Sequence, residues 1–349
     1  MKPFQFSNID LGKISALNKL IVPELFSKSI EAARKINFTP TKKPQSIDQV
    51  FPPLNSENSK CWRVEKELNY ELDPAIGSEF AQDILFSGYD ESKINFMTLE
   101  GEAYLTTHVL THFTPQDVIP TSQISFYFYT HSKLVKEVSE TIKYSEDINS
   151  SANLDYVTDR NSLIESNSLS NSLMFIDGPL IGGNITAHNL KLVESLHRKS
   201  ILPIFFVKNS DSNIVVDNDP NLKEKYNSDL HWAYANLKRG QRSGLYCYQD
   251  NYNVKFTKYF CYFKPFDRVS PQRIEFLPGT YELFSDYFDD IFNLIYYLLL
   301  DHGDQSNPQI RPIAISEMYA RELIKLININ ALLKNSTLIG TMNQVRFGD

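Results

Sequence analysis

Two short apolar runs separated by one helix length constrain this fold more than any other feature of the chain. Leu173–Ile176 ends on Asp177-Gly178, and Leu202–Val207 (LPIFFV) ends on Lys208. Between them, residues 186–199 place Leu190, Val193 and Leu196 at helical spacing. Runs that are apolar throughout are buried on both faces, the habit of strands inside parallel sheets. A strand, a helix and a second such strand join by a right-handed crossover. This stretch is therefore predicted to be α/β.

Upstream, Ile94–Leu99, Ala103–Leu110 and Ile124–Thr130 (ISFYFYT) are rich in aromatic and β-branched residues. They are expected to be antiparallel strands. Three antiparallel strands followed by a strand–helix–strand unit give the order of an RNase H-like mixed sheet flanked by helices. Further helices are expected over 132–143, around Leu163 and Leu169, and over Glu282–Leu300 and Ile313–Leu332; later strands over Phe256–Phe263 and Arg273–Leu277. Leu11, Ile14, Leu17 and Ile21 suggest a helix over 8–36, broken at Pro23. Pro40, Pro44, Pro52 and Pro53 mark a loop after it. Residues 1–90 thus read as an N-terminal helical arm and loop region, and 91–349 as the α/β domain.

Composition removes several classes. A chain of 349 residues, 42% hydrophobic and 22% charged, can bury a large core as a soluble protein. Cys61, Cys247 and Cys261 form no CxxC pair and no closed disulfide set, which points to a reducing cytoplasm and away from zinc. The start MKPFQFSNID has no secretory pattern, and Ile291–Leu300 is too short to span a bilayer. The net charge of −7 differs from that of a free-standing DNA binder, so a partner or a local basic groove would hold nucleic acid.

The residues that could carry chemistry sit at strand ends. Asp177 closes an apolar strand, and Gly178 lets the chain turn beyond it. A carboxylate there can hold a hard divalent cation, or simply cap the turn. Glu100-Gly101 repeats the pattern after Phe96–Leu99, and serves equally as a hairpin turn. Glu165 lies on the helix preceding the Asp177 strand, where a solvated helix face is the default for a lone Glu. Lys208 could meet a phosphate as a point charge or stand in solvent. Lys264, Arg268 and Arg273, interleaved with Tyr262, Phe263 and Phe266, suit single-stranded nucleic acid or a strand pair with one wet face. His302 with Asp301 and Asp304 reads as a helix stop. No GxSxG elbow, Walker A loop or GxGxxG fingerprint occurs.

LMFIDGPLIGG, a helix, and then ILPIFFVKNSDSN together resemble the core of the NurA nuclease family. YFCYFKPFDRVSPQRIEF resembles its strand pair, and NPQIRPIAISEMYARELIKL its C-terminal helix. The resemblance implies hydrolysis of DNA phosphodiesters with Mn²⁺ or Mg²⁺. It matches the family's metal carboxylates to Glu100, Glu165 and Asp177. It sets Arg311 where the family has Tyr, and Tyr319 where it has His; Glu317 lies one turn away. Lys208 matches the lysine after the second apolar strand. The resemblance also implies a homodimer seated on a HerA-type hexameric ATPase, with the helix Leu11–Phe26 as a contact surface. A catalytically weakened adaptor on that ATPase is the alternative, favoured by Arg311 and Tyr319. A different RNase H-like nuclease, acting on RNA–DNA hybrids, is a third. The nuclease reading requires carboxylates from separate segments to meet at one rim of the sheet, with Glu100 within roughly 10 Å of Asp177.

Overall fold

A computed structural model describes residues 31–33, 54–55, 59–114, 117–133, 142–208, 210 and 212–327. The chain divides into two units, residues 1–43 and 44–349. Of the first, residues 31–33 are described and are helical. The remainder of the helix expected over 8–36, including Leu11–Phe26, lies outside the described residues.

The second unit is built on one mixed sheet. Its strands are β1 (Leu54–Asn55), β2 (Ser59–Arg63), β3 (Asn69–Glu71), β4 (Leu85–Met97), β5 (Glu102–Phe113), β6 (Val118–Thr130) and β7 (Ile142–Tyr144). They continue as β8 (Ser172–Asp177), β9 (Ile201–Val207), β10 (Gln241–Ser243), β11 (Tyr246–Asp250), β12 (Thr257–Lys264) and β13 (Gln272–Phe276). The order across the sheet is β1-β2-β11-β12-β13-β9-β8-β4-β5-β6-β7, with β10 and β3 joined beside β12. β4, β5 and β6 are antiparallel, while β4–β8 and β8–β9 are parallel. This is the RNase H-like arrangement that the apolar runs predict.

The helices of this unit are α1 (Pro74–Asp83), α2 (Ile148–Asn167), α3 (Thr186–His197), α4 (Asp229–Asn236), α5 (Pro278–Phe284), α6 (Phe288–His302) and α7 (Arg311–Leu326). Strand periodicity sorts the two faces. Phe86, Leu173, Phe175, Ile204 and Phe206 join a core with α6 and α7 residues such as Leu294, Leu298 and Ile313. Tyr89, Met174, Ile176 and Phe205 point the other way, into a core with Leu163 and Ile164 of α2 and Leu192 and Leu196 of α3.

Three expectations are corrected. The first strand of the RNase H-like group begins at Leu85, not Ile94, because Asp90, Glu91, Ser92 and Lys93 interrupt its apolar pattern. Residues 59–63 and 69–71, expected within the helical arm and loop region, are strands of the sheet, since β2 pairs with β11 and β3 with β10. Residues 142 and 143, expected to end a helix, belong to β7; most of that expected helix lies outside the described residues.

Candidate active site

Asp177 is the last residue of β8, and Gly178 follows with φ +101°, a conformation that a Cβ would strain. The turn is pinned where the Gly178 amide donates to Phe206 O at 2.8 Å. On the neighbouring strand Tyr89 pairs with Ile176, which puts Asp90 beside Asp177. Asp90 and Asp177 continue the face that carries Phe86 and Phe175, so both carboxylates look toward α7. Lys208, just past β9, continues the face of Ile204 and Phe206 and arrives at the same rim.

The fourth member comes from α7. Gly88 lets that helix touch β4: a Cβ there would fall 2.2 Å from the Pro312 carbonyl. Ser316 Oγ then lies 2.8 Å from Gly88 O and 2.8 Å from Thr111 Oγ1, and Thr107 Oγ1 donates to Ala320 O at 2.8 Å. With the helix locked in this way, Glu317 is held over the strand ends.

Lys208 Nζ is surrounded by all three carboxylates, 3.1 Å from Asp177 Oδ2, 3.6 Å from Glu317 Oε2 and 3.9 Å from Asp90 Oδ2. Glu317 also pairs with Arg321 of the same helix, so two cations face the three carboxyl groups. Burial and then the Asp177 and Glu91 charges push the Asp90 carboxyl up to about 8. Burial likewise raises Asp177, against the pull of Lys208. Burial disfavours the Glu317 carboxylate too, but the Gln309 hydrogen bond and the Lys208 and Arg321 charges outweigh it, and its pKa is lowered. Asp90 Oδ2 is buried and accepts no hydrogen bond.

Glu91 points through the opposite face of β4. Burial raises its pKa, opposed by a hydrogen bond from Tyr156 and by the Arg160 charge. Behind it, Tyr89 Oη and His108 Nδ1 are 2.7 Å apart, and His108 is fully buried.

The structure brings together two of the residues expected from sequence, Asp177 and Lys208. It places the others elsewhere. Glu100 lies in the β4–β5 hairpin, and from Asp90 the strand runs on to Met97 first, roughly 20 Å at about 3.3 Å per residue. Glu165 is near the C-terminal end of α2, where its carbonyl accepts from Lys199. Lys199 precedes β9 and Lys208 follows it, so Glu165 sits at the opposite end of the sheet from Asp177. Arg311 pairs with Asp301 at 2.5 Å, and Tyr319 is a partly exposed residue of α7. Asp90 was the missed residue; the only signal for it was a polar break inside an otherwise strand-like stretch.

Of the remaining basic residues Arg268 is exposed, while Lys264 and Arg273 have structural partners. Lys264 Nζ donates to Tyr234 O and Leu237 O, both at 2.9 Å, capping the end of α4. Arg273 is buried beside Glu275.

The carboxylates fit a hard cation by donor chemistry, since they offer oxygen ligands only. Among the described residues no group of three or more His, Cys, Asp or Glu side chains is placed to hold a metal ion, and Lys208 Nζ lies 3.1–3.9 Å from each of the three carboxylates.

An RNase H-like sheet with acidic side chains at the carboxyl ends of its central strands is the architecture of a nuclease. The chain belongs to the NurA family: the NurA domain model matches residues 113–321, a span that takes in Asp177, Lys208 and Glu317 and starts after Asp90. The NurA nuclease of Sulfolobus solfataricus shares the fold, with a TM-score of 0.52 at 11% identity, over 90% of this chain and 98% of that one. A structure of NurA with manganese aligns over 92% of this chain and 98% of its own, at 8% identity and a TM-score of 0.32. An endonuclease V from Bacillus subtilis aligns over 89% and 95%, at 9% identity and a TM-score of 0.38. No curated protein matches the sequence. No helix among the described residues is long and apolar enough to cross a membrane.

Proposed function

We propose that this chain is a divalent-metal-dependent deoxyribonuclease in which Asp90, Asp177 and Glu317 hold Mn²⁺ or Mg²⁺ and Lys208 binds the scissile phosphate. The observation that carries the reading is the convergence of three carboxylates from β4, β8 and α7 on one point at the sheet rim. Asp90, Asp177 and Glu317 would hold the ion, which would lower the pKa of a bound water and offset charge on the leaving oxygen. Asp90 and Asp177 are fixed by the parallel strand pair, so they bind without side-chain search. Lys208 offers a compact positive charge to a phosphate oxygen. Glu91, on the far side of β4, adds negative charge behind Asp90 and does not face the rim.

The proposal includes DNA as substrate, a homodimer, and a HerA-type hexameric ATPase as partner. A net charge of −7 supports the last point, since an acidic nuclease suits a motor that delivers the DNA. The test is cleavage of DNA with Mn²⁺ by Asp177→Ala: the variant is expected to be inactive, and wild-type activity would refute the assignment. DNA, RNA and hybrid substrates measured side by side test the substrate class, and pulldown with a HerA-type ATPase tests the partner.

A second reading, a weakened adaptor subunit, has two observations in its favour. Lys208 already fills the space between the carboxylates, and Arg311 is engaged by Asp301 instead of the rim. Titration with Mn²⁺ separates the two, because an adaptor needs no bound ion.

A further inference from the structure

Behind the rim lies a buried ion group that no step above uses. Glu275 of β13 is fully buried, and Lys258 of β12 and Arg273 of β13 are nearly so. Glu275 Oε1 accepts from Lys258 Nζ at 2.6 Å and from Arg273 Nε at 2.7 Å. Burying three charges is costly, and replacing such a group with apolar side chains is often neutral or stabilising. Stability alone is therefore a weak reason for this group to exist here.

Its remaining atoms show where it acts. Glu275 Oε2 accepts from the Leu180 amide at 2.9 Å, inside the Asp177-Gly178-Pro179-Leu180 turn. The same turn is held from the other side by Asn189, whose Nδ2 donates to Pro179 O and Leu180 O, each at 2.9 Å. The far end of Arg273 reaches a different segment. Its Nη1 donates to Ser210 Oγ at 2.8 Å and to Ser212 Oγ, on the loop that begins with Lys208. One guanidinium thus connects the carboxylate that holds the Asp177 turn to the loop that carries Lys208.

We infer that Arg273 and Glu275 are positioning residues for the nuclease site: a brace that fixes Asp177 and Lys208 relative to each other. The inference rests on the site proposed above. Its physical basis is the fork of the guanidinium, which bonds a carboxylate with Nε and two hydroxyls with Nη1 from one rigid plane. A lysine keeps the charge and cannot span both. Outer partners of this kind set ligand orientation, and their loss costs about 10–100-fold in metal affinity or activity.

The test uses the full chain, with Mn²⁺ binding measured by calorimetry without DNA and cleavage measured separately. Arg273→Lys is expected to bind Mn²⁺ about tenfold more weakly and to cleave at least tenfold more slowly, with KM for DNA little changed. The double variant Ser210→Ala/Ser212→Ala removes the link to the Lys208 loop together with the Ser210–Ser212 bonds within that loop, and its melting temperature is measured alongside to show that it folds. It is expected to keep wild-type Mn²⁺ affinity and to lose kcat. A lowered melting temperature with Mn²⁺ affinity and kcat at wild-type values would reduce Arg273 to a structural role and overturn the inference; so would an unchanged kcat in the double serine variant. Asp177→Asn, run alongside, separates the two failures. If it loses Mn²⁺ binding while Arg273→Lys does not, the brace is wrong and the site stands; if it binds as wild type, the site itself is wrong.

Discussion

Substituting Gly88 by Ala tests how the site is assembled, because it touches no carboxylate. The added Cβ would lie 2.2 Å from both the carbonyl carbon and the oxygen of Pro312, and 2.7 Å from the Ile313 amide. These are backbone atoms at the start of α7 and cannot rotate away. Restoring ordinary contact requires the helix to retreat from β4 by about 1 Å, and overpacking of this kind costs about 1–3 kcal/mol. The retreat also stretches the 2.8 Å contact between Ser316 Oγ and Gly88 O, and it carries Glu317 outward on the same helix. A displacement of about 1 Å at a reacting group can cost about 100-fold in rate. We predict that Gly88→Ala unfolds at lower urea and cleaves DNA roughly 100-fold more slowly per folded molecule. Gly77→Ala is the control: its Cβ would meet Asn293 O at 2.1 Å, between α1 and α6, away from the rim. It should lose comparable stability and keep its cleavage rate. Equal rates for the two variants would refute the claim that α7 docking on β4 positions Glu317.

Other expected outcomes follow from the same geometry. Burial lowers the His108 pKa to about 4, and its Nε2 has no hydrogen-bond partner. A base depressed in the folded state stabilises the protein fully above its unfolded pKa of about 6.5 and loses that contribution as pH falls toward 4. His108→Gln should therefore flatten the acid limb of a urea–pH profile relative to wild type, by up to about 3 kcal/mol; parallel profiles would show that His108 does not titrate there. Glu165→Gln and Glu100→Gln should cleave at wild-type rates, and a large loss in either would restore the positions expected from sequence. Lys208→Met should bind Mn²⁺ at least as tightly as wild type while losing kcat, as measured by calorimetry and single-turnover cleavage; weaker binding would count against a phosphate-directed lysine.

The legible part of this chain was its centre. Apolar runs with nothing polar inside them announced β8 and β9, and each brings a residue of the rim, Asp177 and Lys208, to its end. The β4 strand was harder because function interrupts its pattern: Asp90 and Glu91 occupy successive positions, one toward the rim and one into the opposite face. A reading by hydrophobicity starts the strand after them and carries the carboxylate to Glu100. Helix α2 was expected only around Leu163 and Leu169, and its start at Ile148 was hidden for a related reason. It meets the sheet partly through Tyr127–Asp159 and Tyr129–Asp155 hydrogen bonds of 2.9 and 2.6 Å, so its sheet-facing side is not uniformly apolar. Glu317 was visible only as a neighbour of the Arg311 and Tyr319 positions. What selects it is the close approach at Gly88, and contact between remote segments leaves no local periodicity.

The central claim is that Asp90, and not Glu100, shares the rim with Asp177. Manganese-dependent DNA cleavage by Asp90→Asn and Glu100→Gln, assayed together, tests it most directly. The account predicts that Asp90→Asn falls by at least about 100-fold while Glu100→Gln matches wild type. Activity retained in Asp90→Asn and lost in Glu100→Gln would contradict it.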